Sequence, residues 1–145
     1  MKHQLELGVR TWLHLNRITH TVQRRLTTHL ERYELTLAQF GVLAHLQAAP
    51  HISQQALADW LSVTKGNIVG LLNRLEDRGL VQRRPDPQDG RTHLVCLTPQ
   101  GAALAARVVP EHEELVAACM AVITPQEQRA LHQLVHTLDR ALGPT

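Results

Sequence analysis

SVTKGNIVGLLNRLEDRGLVQRRPDPQDGRTHLVCL, residues 62–97, holds the information that sets the fold. In its first half Ile68, Leu71, Leu72 and Leu75 recur at helical spacing, with Gly66, Gly70 and Asn73 opposite and Lys65 and Arg74 flanking them. That pattern predicts a helix over 63–78 with a small, polar outer face. Ser62 is its expected N-cap, and Gly79 is placed to end it in a left-handed turn. Each glycine inside a helix costs about 1 kcal/mol relative to alanine. Two of them call for some compensation, and the close approach of another backbone is one candidate. In the second half, residues 80–84 and 92–97 read as strands. Between them Pro85-Asp86-Pro87-Gln88-Asp89-Gly90-Arg91 has the prolines, aspartates and glycine of a hairpin tip.

Upstream, residues 5–33 form one long helix in which Ile18, Val22, Leu26 and Leu30 make an apolar stripe, with Arg17, Arg24, Arg25 and Glu31 on the other face. Thr36 with Gln39 spells a capping box that opens a helix from Leu37 to about Gln47, stopped near Pro50, and Ser53 caps a third ending at Leu61. Helices over about 37–48, 53–61 and 63–78, followed by a basic hairpin, are the pattern of a winged helix-turn-helix. In that arrangement the last helix enters the DNA major groove and the hairpin reaches flanking backbone or minor groove. Trp60 is expected inside the three-helix body.

Downstream, Thr98-Pro99 sets a cap and a first-turn proline at the start of a long helix that Pro110 is expected to kink or interrupt. Thr124-Pro125-Gln126-Glu127 opens a last helix whose Leu131, Leu134, Val135, Leu138 and Leu142 share a face. The fold class is therefore mainly α with a small β-hairpin wing. Its expected organisation is an N-terminal dimerisation helix over 1–34, the DNA-binding winged helix-turn-helix over 35–98 and C-terminal dimerisation helices over 99–145. The outer apolar stripes imply a homodimer, because a two-fold pair reads a pseudo-palindromic operator through two half-sites.

Composition narrows the function. A chain of 145 residues buries roughly 68–70% of its unfolded surface, enough for one core. The net charge of +2 is too small to indicate nucleic acid by itself, so the placement of the cations carries that argument. No apolar run is long enough to span a bilayer and no secretory leader is evident, which implies a cytoplasmic protein with no membrane partner, its Cys96 and Cys119 outside any disulfide. No phosphate-cradling glycine loop, nucleophile motif or paired catalytic carboxylates occur, so no enzyme and no cofactor is expected. His132 and His136, four apart, with His112 and Glu113, have the spacing of zinc ligands, but on a histidine-rich chain they read as a solvated face and no metal is expected. Cys119 lies among Val116, Ala117, Ala118 and Met120 as a small hydrophobe, and neither cysteine has a basic sequence neighbour to activate it for redox sensing.

Three segments, Leu75-Glu76-Asp77-Arg78-Gly79-Leu80-Val81, Asp86-Pro87-Gln88-Asp89-Gly90-Arg91 and Leu97-Thr98-Pro99-Gln100-Gly101, resemble in order and spacing the multiple antibiotic resistance regulator (MarR) family of winged-helix transcription factors. The resemblance covers nearly the whole chain. It implies a regulator of transcription, most simply a repressor relieved by a small-molecule effector, with Asp89 and Arg91 shaping the wing and Arg91 entering the minor groove. The DNA-binding set is Thr64, Lys65, Gly66, Asn67, Asn73, Arg74, Arg84, Asp89 and Arg91, with Arg83 and Arg84 both of second rank. Many relatives carry threonine and arginine where this chain has Val69 and Gly70, so a usual base-reading arginine is absent. In such proteins the first helix borders an effector pocket, which brings in Trp12, His14, Tyr33 and Arg107. An arginine or histidine beside aromatic and aliphatic walls suits a small aromatic acid. The alternatives are a winged helix that binds protein instead of DNA, and a redox- or metal-responsive regulator.

Overall fold

A computed structural model of the protein describes residues 2–143, with side chains from residue 6 onward. Residue 1 and residues 144–145, included in the expected terminal regions, lie outside the described residues. The element order is α1 (Lys2–Glu31), α2 (Leu37–Ala48), β1 (Ile52–Ser53), α3 (Gln54–Leu61), α4 (Lys65–Asp77), β2 (Val81–Pro85), β3 (His93–Leu97), α5 (Pro99–Met120) and α6 (Pro125–Leu142). The chain forms two compact units, residues 1–112 and 113–145.

In the first unit the expected caps of α2 and α3 form. The Thr36 hydroxyl accepts from the Gln39 N–H while the Gln39 side chain accepts from the Thr36 N–H, at 3.1 and 3.0 Å, and the Ser53 hydroxyl accepts from the Ala56 N–H at 3.1 Å. Ser62 does not cap α4. Its backbone is left-handed (φ 54°) and it closes α3, whereas an N-cap needs an extended backbone. Thr64 is extended and takes the role, accepting from the Asn67 N–H at 3.1 Å.

Leu30, Val42, Leu43, Leu46, Leu57, Ile68, Leu72, Leu75, Val95 and Val108 are fully buried and join α1, α2, α3, α4, β3 and α5 in one core. The α1 stripe divides: Leu30 joins this core, Leu26 is buried without belonging to it, and Ile18 is exposed. Trp60 is 57% exposed and does not pack inside. Leu57, Ala58 and Leu61 occupy the inward face of α3, and the indole lies outside it, 4.2 Å from the His45 ring.

The sheet is antiparallel in the order β1-β3-β2. Val81 pairs with Leu97 and Pro85 with His93, so each expected strand starts one residue late and Pro85 belongs to the strand, not the tip. Leu80 stays in the turn after α4, its N–H bonded to the Leu75 carbonyl at 2.9 Å beyond a left-handed Gly79 (φ 69°). The two-residue β1, pairing Ile52 with Val95, has no counterpart among the sequence expectations.

α5 starts at Pro99, with the Thr98 hydroxyl accepting from the Gly101 N–H at 3.0 Å and donating to the Gly79 carbonyl at 2.5 Å. Gly101 is obligatory, because a Cβ there would lie 1.8 Å from the Leu80 carbonyl oxygen. The helix is not interrupted at Pro110. Proline forfeits one helical hydrogen bond, but Ala105 and Val108, both buried, hold the preceding turn against the core. In the second unit, Thr124 and Glu127 form the expected capping box, with Pro125 in the first turn. None of the residues of α6 is buried.

Candidate nucleic-acid interface

α4 buries Ile68, Leu71, Leu72 and Leu75, which turns Lys65, Gly66, Asn67, Val69, Asn73 and Arg74 to solvent, with Gly70 half-buried. A Cβ built at Gly66 or Gly70 meets nothing within 4 Å, so nothing among the described residues requires glycine at either position. Thr64 uses its hydroxyl oxygen as the cap and still has an O–H to donate outward. Cations therefore flank a strip where the helix backbone is bare.

The hairpin tip is built by its aspartates. Asp86 accepts from the Gln88 N–H at 2.9 Å, and Asp89 accepts from the Arg91 N–H at 3.1 Å and from the Thr92 hydroxyl at 2.9 Å. Such side-chain turns fix a loop without core packing. Arg91 is left exposed at the edge of a groove of about 250 Å³. Lys65 and Ile68 of α4, Gln54 and Gln55 of α3, and Thr92 and His93 line the same groove, so α4 and the hairpin share one concave surface.

Arg84 is exposed on β2, whereas Arg83 is engaged by protein. Its guanidinium and backbone N–H bond to Glu76, its Nη2 donates to Asn73 Oδ1 and its Nη1 to Gln54 Oε1. The bonds from Arg83 hold the Glu76 carboxyl below the ordinary carboxylate range.

Of the residues considered for an effector, Tyr33 and Arg107 come together: the guanidinium lies 5.5 Å from the ring centre, and both line a cavity of about 580 Å³ with Arg32, Arg78, Gln100 and Leu104. Tyr33 donates to Glu111 Oε2 at 2.6 Å, and that oxygen lies 3.3 Å from His29 Nε2. The bond to Glu111 raises the pKa of the tyrosine hydroxyl. Arg78 donates to the Glu34 and Tyr33 carbonyls at 2.6 and 3.0 Å, fastening the α1–α2 turn to the end of α4. Trp12 and His14 are exposed on α1 and are not among the described residues lining the cavity. Arg32, Arg78, Gln100, His29 and Glu111 carried no sequence signal for this place, since they meet only through the packing of α1, α4 and α5.

Cys96 is buried with its thiol 3.7 Å from the Gln82 carbonyl oxygen, and Cys119 is half-buried. The rings of His132 and His136 lie 6.0 Å apart, and among the described residues no three metal-ligating side chains converge.

A MarR family model matches residues 33–92. An uncharacterised helix-turn-helix-type transcriptional regulator of Bacillus cereus is 34% identical over 130 residues, covering 89% of this chain and 86% of its own. Among solved structures, a mutant of Escherichia coli MarR complexed with operator DNA is 30% identical with a TM-score of 0.78, covering 86% of this chain and 89% of its own. A Bordetella bronchiseptica protein, BpsR, solved in a study of the regulation of its DNA binding by 6-hydroxynicotinic acid, is 28% identical with a TM-score of 0.77 over the same shares. The bare helix face, the aspartate-built wing and these likenesses lead to one statement: the chain belongs to the MarR family of winged helix-turn-helix transcriptional regulators.

Proposed function

We propose that the protein is a cytoplasmic, homodimeric, non-enzymatic repressor that binds a pseudo-palindromic operator and releases it when a small aromatic acid binds. The observation that carries the DNA reading is the shared groove between Lys65 on α4 and Arg91 on the wing, beside a helix face bare at Gly66 and Gly70. α4 lies in the major groove with Asn67 and Asn73 outward. Thr64, Lys65, Arg74 and Arg84 meet groove edges or phosphates, and Arg91, held by Asp89, enters the minor groove. Residues 35–98 do the reading.

Residues 1–34 and 99–145 pair the two copies. Leu7, Val9, Trp12, Leu13 and Ile18 on α1 are exposed, and so are Leu134, Leu138 and Leu142 on α6. Faces of that kind on long helices are covered in a stable protein, and a two-fold pair covers them while spacing two reading helices about 34 Å apart. Among the described residues no helix is long and apolar enough to cross a membrane.

The effector cavity is the one lined by Tyr33 and Arg107, which offers a cation over an aromatic wall to a carboxylate on a ring. Trp12 and His14 belong instead to the dimer face. Binding acts on geometry: Arg78 ties the cavity wall to the end of α4, so a small rotation there misplaces both reading helices. A ligand that prefers the misplaced state about 100-fold shifts the equilibrium by about 2.7 kcal/mol. The test is titration of aromatic acids, 6-hydroxynicotinic acid among them, against the protein on an affinity-selected genomic fragment, reading tryptophan fluorescence and DNA release together. Release that Arg107→Ala abolishes supports the reading, and binding without release refutes the coupling.

A further inference from the structure

Arg83 and Arg84 are adjacent cations on β2, yet their side chains have opposite fates. The Glu76 carboxylate accepts from the Arg83 backbone N–H at 3.0 Å, from Nε at 3.1 Å and, on its other oxygen, from Nη2 at 2.5 Å. The same Nη2 donates to Asn73 Oδ1 at 2.5 Å, and Nη1 reaches Gln54 Oε1 at 3.5 Å. Both Nη2 hydrogens, the Nε hydrogen and one Nη1 hydrogen are thus committed, leaving one of five. One guanidinium ties the wing strand to α4 and α3. Arg84 points to the other face of the strand, as alternation requires, and is exposed.

We propose that Arg83 is a positioning residue and not a DNA contact: through Glu76 it sets the wing strand against the reading helix, and through Asn73 it turns that amide's NH2 outward. A guanidinium has no acceptor, so the oxygen of Asn73 must face it, which puts the NH2 donors on the outer face. Asn73 then suits acceptor atoms, whether phosphate oxygens or guanine O6 and N7. The inference rests on the DNA-reading role given to α4 above.

The test compares salt dependence of binding to a selected genomic fragment. Each phosphate contact contributes about −0.9 to the slope of log K against log salt, so Arg84→Met makes the slope shallower by about 0.9 per protomer. Arg83→Met weakens binding by about fivefold or more with the slope unchanged. Glu76→Gln, the milder variant, removes a negative charge beside the DNA and still weakens binding, and adding it to Arg83→Met costs nothing further. Asn73→Asp, which keeps an acceptor for Arg83 but has no donor, retains the thermal midpoint and loses about tenfold or more in affinity.

A slope made shallower by about 0.9 per protomer in Arg83→Met, or undiminished affinity in Glu76→Gln, overturns the proposal. Amide exchange in the DNA-free protein gives an independent arm: both variants speed exchange along β2 and β3, and unchanged exchange overturns the positioning role. If the wild type binds no genomic fragment, the DNA reading of α4 fails, and the exchange arm decides the clamp on its own.

Discussion

Gly70→Ala separates folding from recognition. Gly70 sits in the interior of α4, its φ is not positive, and an added Cβ meets nothing within 4 Å. Alanine therefore gains helix propensity without a clash in the free protein, about 0.5–1 kcal/mol. For a chain of this size that raises the thermal midpoint by roughly 1–4 °C, compared at one protein concentration because the proposed dimer's midpoint depends on it. On DNA the sign reverses. In the proposed complex base edges approach the bare helix face, and one extra carbon in a close-packed contact costs about 1–3 kcal/mol, a loss in affinity of roughly 5- to 150-fold. The assay is thermal denaturation by circular dichroism alongside fluorescence anisotropy on one selected fragment. A variant that is more stable and binds DNA equally well refutes the reasoning, because the glycine would then serve neither fold nor contact.

Arg91→Ala weakens operator binding by about tenfold or more while leaving the circular dichroism spectrum unchanged, since the wing tip is held by Asp86 and Asp89 and not by the arginine side chain. Cutting the chain after Ile123 removes α6 and gives aggregation or monomers by light scattering, together with lost DNA binding. The depressed carboxyl of Glu76 stabilises the fold above its unfolded value, near 4.5, and that stability is lost as pH falls through the lower folded value. Denaturant titrations thus show wild type and Glu76→Gln converging in acid and separating as pH rises above that range.

The reading helix and wing were legible because their signals are local: Ile68, Leu71, Leu72 and Leu75 keep one period, and prolines and aspartates punctuate the hairpin. The two capping boxes follow from spacing alone, with Thr36 three residues before Gln39 and Thr124 three before Glu127. Ser62 and Thr64 are equally good capping types two residues apart, and only the left-handed backbone that ends α3 decides between them. The strand β1 is two residues long and owes its existence to the edge of β3, so periodicity has nothing to detect. Trp60 shows the limit of hydrophobicity as a guide, since a helix of eight residues has little inward face to share. Arg83 looked like one cation among several because its partner, Glu76, is brought to it by the turn at Gly79. The cavity at Tyr33 depends on α1, α4 and α5 meeting from distant parts of the chain, which no local pattern encodes.

The most direct test of the account is selection of genomic fragments by the purified protein, with footprinting of the fragments recovered. The account predicts a pseudo-palindrome whose half-sites are protected about one helical turn, roughly 34 Å, apart, bound by two copies and losing its minor-groove protection in Arg91→Ala. Recovery of no fragment above non-specific background, or full-affinity binding of a single half-site by a monomer, would contradict it.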